Sequence, residues 1–264
     1  MKNYQKKYYE QPILWNYDYL KIPQERERLW EVINMIPTDV RSVLDVGCGN
    51  GVFINTLIKA FPNKFNKIIG VDFSSEALRY VKTEKIYGNI SNLPFENKSF
   101  DLVTSLEVLE HLSEDEFNKG ILELQRVSKK YIIITVPNDQ NLEELLVRCP
   151  KCYCWFNLYS HVRSFNKHSL CNLLEDFKRI EIKEIGPAEF HYHPLIIKFY
   201  HICKKPSMPK IAICPQCGYQ VKQKACNEGK DKKIFLFLVR YLARIFFSSR
   251  KKKWLLALYE RTSR

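Results

Sequence analysis

Short apolar runs and amphipathic stretches alternate along the first three quarters of the chain. The run SVLDV at 42–46 stops at glycines, as a buried parallel strand does, and the stretch after it has helical apolar spacing that ends at Pro62. In this way we predict seven strands, at 42–46, 67–72, 85–89, 100–106, 131–136, 179–185 and 195–203. Strands that alternate with helices are typical of an α/β fold, with a mostly parallel sheet covered by helices on both faces.

The breaks in this alternation predict the domain organisation. The pattern is interrupted at 137–165 and the apolar core ends near residue 204. We therefore divide the chain into four parts: an N-terminal helical segment rich in aromatic residues that would form a lid (1–40), a central domain with an insertion (41–204, with the insertion at 137–165), a cysteine-containing segment and linker (205–230), and a basic amphipathic tail (231–264).

Composition is that of a soluble globular protein, with 45% apolar and 27% charged residues. The first twenty residues lack the apolar core of a secretory signal, and no apolar run reaches the roughly 20 residues of a membrane-spanning helix. We therefore expect a cytoplasmic protein.

The net charge of +13 is concentrated near one end of the chain. Residues 198–264 hold 17 Lys and Arg against three acids, and the remainder is nearly neutral. A balanced central domain argues against nucleic acid as the partner of the active site.

The motif VLDVGCGNG at 43–51 is the sharpest chemical signal. Gly47, Gly49 and Gly51 follow the first strand and precede a helix, where glycines let a ligand approach the backbone and helix N–H groups are free. Asp72, at the end of the second strand, would accept both ribose hydroxyls of a nucleoside. The third glycine comes one residue too early for the dinucleotide pattern G-x-G-x-x-G.

At this point the chain resembles the class I S-adenosylmethionine-dependent methyltransferases, especially the small-molecule group that includes ubiquinone-biosynthesis enzymes. The resemblance covers about residues 40–204 and includes four ordered blocks: VLDVGCGNG, IIGVDFS, GNISNLPFENKSFDLV and SLEVLEHL. It implies a Rossmann-like seven-stranded fold that binds S-adenosylmethionine.

The resemblance also implies roles for individual residues. The three glycines would line the methionine and ribose of the cofactor, and Asp45 would orient their loop and reach the ligand's amino end. The remaining implied positions are Asp72 on the ribose, Phe73 beside the adenine, Asn89 accepting from the adenine amino group, and Leu106 offering its backbone carbonyl. In the family Asn89 is usually Asp, but the amide oxygen of Asn can also accept.

Methyl transfer to oxygen or nitrogen needs alignment and the removal of one proton. His111 closes the EVLEH block and His161 lies in SHVRSF, so both are candidate catalytic bases. Each has a purely structural alternative, the capping of local backbone in the case of His111.

Two C-x-x-C turns, Cys149/Cys152 and Cys214/Cys217, share the form CPxC. Paired turns of this kind complete a tetrahedral Cys₄ zinc site, with Cys154 or His161 as a substitute ligand and free thiols as the alternative. Similar insertions occur in methyltransferases of bacterial glycan-biosynthesis clusters. In those proteins a glycine usually follows the second cysteine, where this chain has Tyr153.

These observations predict an O- or N-methyltransferase whose acceptor is small and polar, a sugar of a nucleotide- or lipid-linked glycan. An RNA methyltransferase and a non-catalytic binding protein are the alternatives.

The tail adds an expected membrane contact, since an amphipathic helix at 234–247, the basic run 250–253 and the segment WLLALY would lie on an anionic inner membrane face. The alternative is that both apolar stretches pack on the core.

Overall fold

A seven-stranded sheet runs through the centre of the computed structural model, which describes residues 3–192, 194–203, 207–221 and 248–262. Its strands are β1 (Ser42–Val46), β2 (Lys67–Asp72), β3 (Glu84–Tyr87), β4 (Phe100–Leu106), β5 (Ser128–Pro137), β8 (Phe177–Tyr192) and β9 (Ser248–Arg261), while β6 (Leu146–Arg148) and β7 (Trp155–Asn157) form a separate hairpin. Across the sheet the order is β3-β2-β1-β4-β5-β9-β8. The first five are parallel, and β9 is antiparallel to both neighbours. The predicted mostly parallel α/β sheet is confirmed.

Neighbouring residues of the central strands enter two different cores, one on each face of the sheet. In β1, Val43 packs on one face and Leu44 on the other, and Ile133 and Ile132 of β5 divide in the same way. All four side chains are fully buried. Because both faces are covered, these strands read in the sequence as continuous apolar runs.

Helices cover both faces. They are α1 (Asn3–Tyr9), α2 (Pro12–Trp15), α3 (Pro23–Asn34), α4 (Val52–Ala60), α5 (Ser75–Leu78), α6 (Glu114–Val127), α7 (Lys167–Cys171) and α8 (Pro194–Cys203). Apolar residues of α6 and α7 belong to the core that contains Leu44, and those of α3 and α4 belong to the core that contains Val43. Helices α1 and α2 lie in the predicted N-terminal segment and lead across the carboxyl ends of the strands, towards the glycine loop.

The predicted strand at 195–203 is wrong, because these residues form α8. An apolar run of nine residues fits a buried strand and a buried helix equally well, and Pro194 at the first helical position favours the helix.

The seventh strand is β9, which lies in the segment that the sequence pattern assigns to the tail. Arg250–Lys253 and the segment WLLALY lie in this strand, between β5 and β8, and its apolar residues Trp254 to Tyr259 are at most 7% exposed. They are core residues, so the expectation that they contact a membrane is wrong, and the core does not end near residue 204. The predicted helix at 234–247 and the linker at 222–233 lie outside the described residues.

The insertion at 137–165 carries the β6–β7 hairpin, whose tip holds the first pair of cysteines. Residues 207–221, with the second pair, pack against this tip. The two segments share a small core of their own, centred on Val147, Cys149, Met208, Ala212 and Cys214. Within the described ranges, no helix has both the length and the apolar composition needed to cross a bilayer.

Candidate active site

The loop between β1 and α4 has the conformation that its glycines predict. Gly47, Gly49 and Gly51 have φ of +78°, +53° and +74°, a region that side chains other than glycine rarely occupy. A Cβ atom on Gly47 would lie 2.3 Å from the Val108 side chain, so this glycine is also required for packing. The loop is fixed to β2, because the N–H groups of Gly47 and Cys48 both donate to the carbonyl of Val71.

Two buried carboxylates lie at the ends of β1 and β2. Asp72 is 6% exposed and accepts hydrogen bonds from the backbone N–H of Gly49 and of Ser74, both at 2.8 Å. Asp45 is 2% exposed and accepts from the Thr104 hydroxyl at 2.6 Å. Burial raises the pKa of Asp72 to about 6 and that of Asp45 to about 7, against the effect of these hydrogen bonds. The bond from Gly49 connects the ribose-binding candidate directly to the glycine loop.

A pocket opens above these strand ends. Four of the eight positions implied for the cofactor line it: Gly47, Asp72, Phe73 and Asn89. The other four are not among its lining residues: Asp45 is in β1, Gly49 and Gly51 are in the loop that contains Gly47, and Leu106 is the final residue of β4. The amide oxygen of Asn89 already accepts from the N–H of Ser91 at 2.9 Å, which leaves one lone pair of that oxygen for a ligand.

Aromatic residues of the N-terminal segment cover the pocket. Tyr9 packs edge-on against Phe73 with ring centroids 5.2 Å apart, and its hydroxyl lies 2.8 Å from Nδ1 of His111. The carbonyl of Tyr9 accepts from the indole N–H of Trp15 and the hydroxyl of Ser74, which fixes the segment above β2. Trp15 lies so close to Gly49 that a Cβ atom there would be 2.9 Å from its ring. The segment therefore occupies the position of a lid over the pocket.

The two candidate bases lie together at the pocket mouth, although 50 positions separate them in the sequence. The rings of His111 and His161 are 4.6 Å apart. His111 ends a 3₁₀ turn after β4, and the insertion is tied to this turn because the N–H of Val162 donates to the carbonyl of Glu110 at 2.8 Å. Burial, followed by the neighbouring His161, lowers the pKa of His111 well below its usual range, and burial lowers the pKa of His161 to about 4. Both imidazoles are therefore neutral.

Two acids of the EVLEH block belong to the site and were not singled out from the sequence. Glu107 lines the pocket in a left-handed backbone conformation with φ of +58°, and its carboxylate accepts from the indole N–H of Trp254 in β9 at 2.8 Å. Glu110 is 1% exposed beside His111. The spacing of two carboxylates, three residues apart directly after a strand, was the signal available in the sequence. The neighbour Trp254 was not foreseeable once β9 had been assigned to the tail.

Arg163, which the sequence suggested for an acidic group of the acceptor, is already engaged. Its guanidinium pairs with Glu114 at 2.6 Å and stacks over Phe117 at 3.9 Å.

The four predicted metal-binding cysteines form one cluster. The sulfurs of Cys149, Cys152, Cys214 and Cys217 lie within 4.8 Å of one another, with 3.8 Å between Cys149 and Cys217 and 3.5 Å between Cys152 and Cys214. Four thiolates around one Zn²⁺ at about 2.3 Å are about 3.8 Å apart, so this donor set fits the ion. Cys154 lies 3.2 Å from Cys214, whereas His161 is at the pocket mouth and not in the cluster.

The two cysteine turns share one backbone design. In the second turn Gly218 has φ of +67° and its N–H donates to the carbonyl of Cys214 at 3.0 Å. In the first turn Tyr153 has φ of +61° and its N–H donates to Cys149 at the same distance. Tyr153 therefore adopts a glycine-like conformation, which costs about 1–2 kcal/mol for a residue with a side chain.

Comparisons with known proteins agree with this geometry. Residues 43–131 match the methyltransferase domain family. The demethylmenaquinone methyltransferase of Staphylococcus saprophyticus is 31% identical over 160 residues, which are 55% of this chain and 67% of that protein. The small RNA 2'-O-methyltransferase of Arabidopsis thaliana is 31% identical over 140 residues, which are 46% of this chain and 14% of that protein.

Two further curated relatives are also matched over less than half of their own length. Among solved structures, a SAM-dependent methyltransferase from Methanosarcina mazei superposes with a TM-score of 0.51 at 16% identity, over 89% of this chain and 98% of the other. At this identity the superposition supports the fold alone.

Proposed function

Because the chain belongs to the class I S-adenosylmethionine-dependent methyltransferases, we propose that it methylates an oxygen or nitrogen of a small polar acceptor, a sugar of a nucleotide- or lipid-linked glycan. The observation that carries this proposal is the contact of His161 with His111. It brings the insertion to the pocket mouth, where this segment would build the acceptor side of the site. The proposal of a sugar follows from the sequence of this insertion, which we interpret as similar to glycan-cluster methyltransferases.

The cofactor would bind with its ribose on Asp72 and its adenine between Phe73 and Asn89. Its methionine end would lie on the glycine loop, above the carboxylate of Asp45. Lining of the pocket by Gly47, Asp72, Phe73 and Asn89 supports this orientation. The sulfonium methyl would then face the space beside His111, and Tyr9 in the lid would exclude water from it.

The reaction needs in-line alignment of the acceptor atom with the methyl group. The acceptor oxygen or nitrogen forms the new bond to carbon as the carbon–sulfur bond breaks, and S-adenosylhomocysteine leaves as a neutral thioether. A hydroxyl or amine also loses one proton. His111 and His161 are the neutral groups at the right place to bind that hydroxyl or amine and to assist removal of the proton.

An aromatic side chain on the insertion supports a sugar as the acceptor. Tyr159 is 42% exposed, and its ring lies 5.9 Å from that of His161. Binding sites for small polar ligands combine aromatic surface with a few oriented polar groups, and a sugar ring offers an apolar C–H face to such surface and hydroxyls to the histidines.

RNA is the second candidate, favoured by the likeness to the Arabidopsis enzyme, which by its name acts on small RNA. The residues that line the described pocket include Glu107 and Glu116 but neither Lys nor Arg, which disfavours a phosphate-rich acceptor. Salt dependence separates the candidates, because the many phosphate contacts of RNA make its retention fall far more steeply between 50 and 200 mM salt than the binding of a nucleotide-sugar with few phosphates.

Native protein incubated with methyl-labelled cofactor and a panel of nucleotide-sugars tests the proposal by mass spectrometry. We expect the label on one sugar, and at least about tenfold slower labelling by Asp72→Ala when the cofactor concentration is below its Kd. Transfer to RNA alone would refute the sugar assignment. A protein that binds S-adenosylmethionine in calorimetry but methylates neither class would favour the non-catalytic alternative.

We further propose that the cysteine cluster binds one structural Zn²⁺. The donor set and the small shared core support this, because the ion would join the insertion to residues 207–221. Elemental analysis of protein purified without added metal should find about one zinc per chain. Cys214→Ser should lose it, and Cys171→Ser, a cysteine outside the cluster, should keep it. Protein that contains no zinc as purified, and whose melting temperature does not change when zinc is added, would refute the site.

A contact of residues 234–247 with an anionic membrane also remains our proposal, and it rests on the sequence alone. Arg240 and Arg244 are the two basic residues of this segment, and the test replaces both by glutamate. Truncation of the tail is not used, because it would also remove β9. Wild-type protein should float with anionic liposomes and the double variant should not. Equal behaviour of the two would refute this contact.

A further inference from the structure

Glu110 is a buried carboxylate without a hydrogen-bond partner in the part of the chain that the structure describes. It is 1% exposed, and neither of its oxygens accepts a hydrogen bond from another described residue. One oxygen of Glu107, which lines the adjacent pocket, is buried in the same condition. Buried carboxylates normally accept hydrogen bonds, pair with a cation or bind a metal ion. The buried guanidinium of Arg28 acts on both carboxylates from a distance, but it bonds to Glu25 and Thr135, so Glu110 still has no bound cation of its own among the described residues.

Two imidazoles beside the Glu110 carboxylate complete a set of possible ligands for a cation. Nδ1 of His111 pairs with the hydroxyl of Tyr9 at 2.8 Å, and Nδ1 of His161 pairs with the amide oxygen of Gln140 at 2.5 Å. Nε2 of each ring would then be the ligand atom, and on His111 the cation would compete with the backbone carbonyls of Tyr159 and Ser160, which also interact with this ring. Orientation of a histidine through its other nitrogen is usual at metal sites. Nε2 of His111 lies 3.8 Å from a carboxylate oxygen of Glu110, and one donor atom from each of the three residues lies within 4.8 Å of the others.

We propose that Glu110, His111 and His161 bind one divalent cation, and that this cation binds the acceptor hydroxyl. The second half rests on the proposed function. Two nitrogens and a carboxylate leave positions open for the acceptor, and the set suits a first-row cation such as Mn²⁺. The residues lining the described pocket include neither lysine nor arginine, and Arg28, whose charge acts on Glu107 and Glu110, is paired with Glu25.

Bound in this way, the hydroxyl becomes more acidic and loses its proton to water, as metal-bound water does. The oxygen then forms a bond to the methyl carbon while the carbon–sulfur bond breaks. The negative charge of the alkoxide and the positive charge of the sulfonium are both lost, giving an ether and a thioether. The histidines are then ligands that position the acceptor, and they do not need to act as free bases.

The direct test is Mn²⁺ binding to the full chain, followed by the electron paramagnetic resonance signal of free Mn²⁺. The protein is first saturated with one equivalent of zinc, which thiolates select over Mn²⁺. We expect one Mn²⁺ per chain, and at least about tenfold weaker binding in Glu110→Gln and in His161→Gln, a loss seen even for second-shell partners. His168→Gln, an exposed histidine on α7, should bind as wild type does.

A measurement on wild type protects the test from variants that fail to fold. Pulsed resonance spectra of the Mn²⁺ complex should show coupling to two imidazole nitrogens. Absence of a Mn²⁺ site in protein that still binds S-adenosylmethionine, or a site without nitrogen coupling, would overturn the proposal.

Failure of the proposed function would look different. If Mn²⁺ binds as expected but no sugar is methylated, the cation site is supported and the sugar assignment is wrong. If a sugar is methylated equally fast after chelation of Mn²⁺ and in Glu110→Gln, the function is supported and the catalytic part of the cation is refuted.

Discussion

Replacing Asp72 by alanine should weaken S-adenosylmethionine binding by at least about tenfold. The wild-type carboxylate is held by the N–H groups of Gly49 and Ser74 at 2.8 Å, so it is oriented before the cofactor arrives. Hydrogen bonds to a charged group contribute about 1.5–3 kcal/mol, and about 1.4 kcal/mol corresponds to a tenfold change in Kd. The variant also leaves two backbone donors unpaired, so we expect a loss of about 1–3 kcal/mol in the free energy of unfolding.

Asp101→Ala is the matched control for this loss of stability. Asp101 also accepts two backbone N–H groups, those of Arg41 and Ser42 at 3.0 and 3.1 Å, but it lies near the start of β4, at the end of the sheet away from the glycine loop. Titration calorimetry and urea unfolding are measured on both variants. Both should lose stability, and Asp72→Ala alone should lose affinity. An unchanged Kd in Asp72→Ala, or an equal loss in Asp101→Ala, would show that Asp72 does not bind the ribose.

Three further outcomes are expected. Cofactor affinity should fall as the pH drops from 7 to 5, because protonation of Asp72 removes the charge that accepts the ribose hydroxyls. Below the Asp72 pKa of about 6 the fall should approach tenfold per pH unit. An affinity that calorimetry finds independent of pH would contradict this. Leu256→Ala in β9 should lower the free energy of unfolding, measured in urea, by about 2–5 kcal/mol. The control Leu122→Ala, at a residue of α6 that is 61% exposed, should lower it by under about 0.5 kcal/mol. Similar values for the two variants would mean that β9 is not in the core. Tyr153→Gly should stabilise the first cysteine turn by about 1 kcal/mol, because glycine adopts this backbone conformation without strain. We expect slower release of zinc to a chelator. Faster release would show that the contact of the Tyr153 ring with Arg148 matters more than the backbone strain.

The sequence was most informative where one local pattern had one physical meaning. A strand, three glycines and an acid at the next strand end correctly predict the left-handed turns at Gly47, Gly49 and Gly51 and the burial of Asp72 at that edge. Helix α6 begins at Glu114, directly after Ser113, and serine is one of the residue types that favour the N-cap position.

Long-range arrangements were not predictable in this way. The apolar segments 195–203 and 254–259 each fit a buried helix or a buried strand. Pro194 favours the helix in the first, but in the second it is the pairing with β5 and β8 that makes the segment a strand. The contact between His111 and His161 depends on how the insertion folds back, through the bond from Val162 to Glu110. No local pattern encodes that bond.

The position of β9 also affects how the protein reaches its active form during synthesis. Trp254, which binds the pocket residue Glu107, follows it by 147 residues. At about 5–20 residues per second, roughly 7–30 seconds separate their synthesis on the ribosome. During that interval β5 has an open edge, with the backbone groups that later pair with β9 still free to join another chain. A nascent chain can therefore form its parallel strands and glycine loop early. The wall of the pocket is complete only after β9 has emerged, and a chaperone that covers the edge of β5 is most useful before that moment.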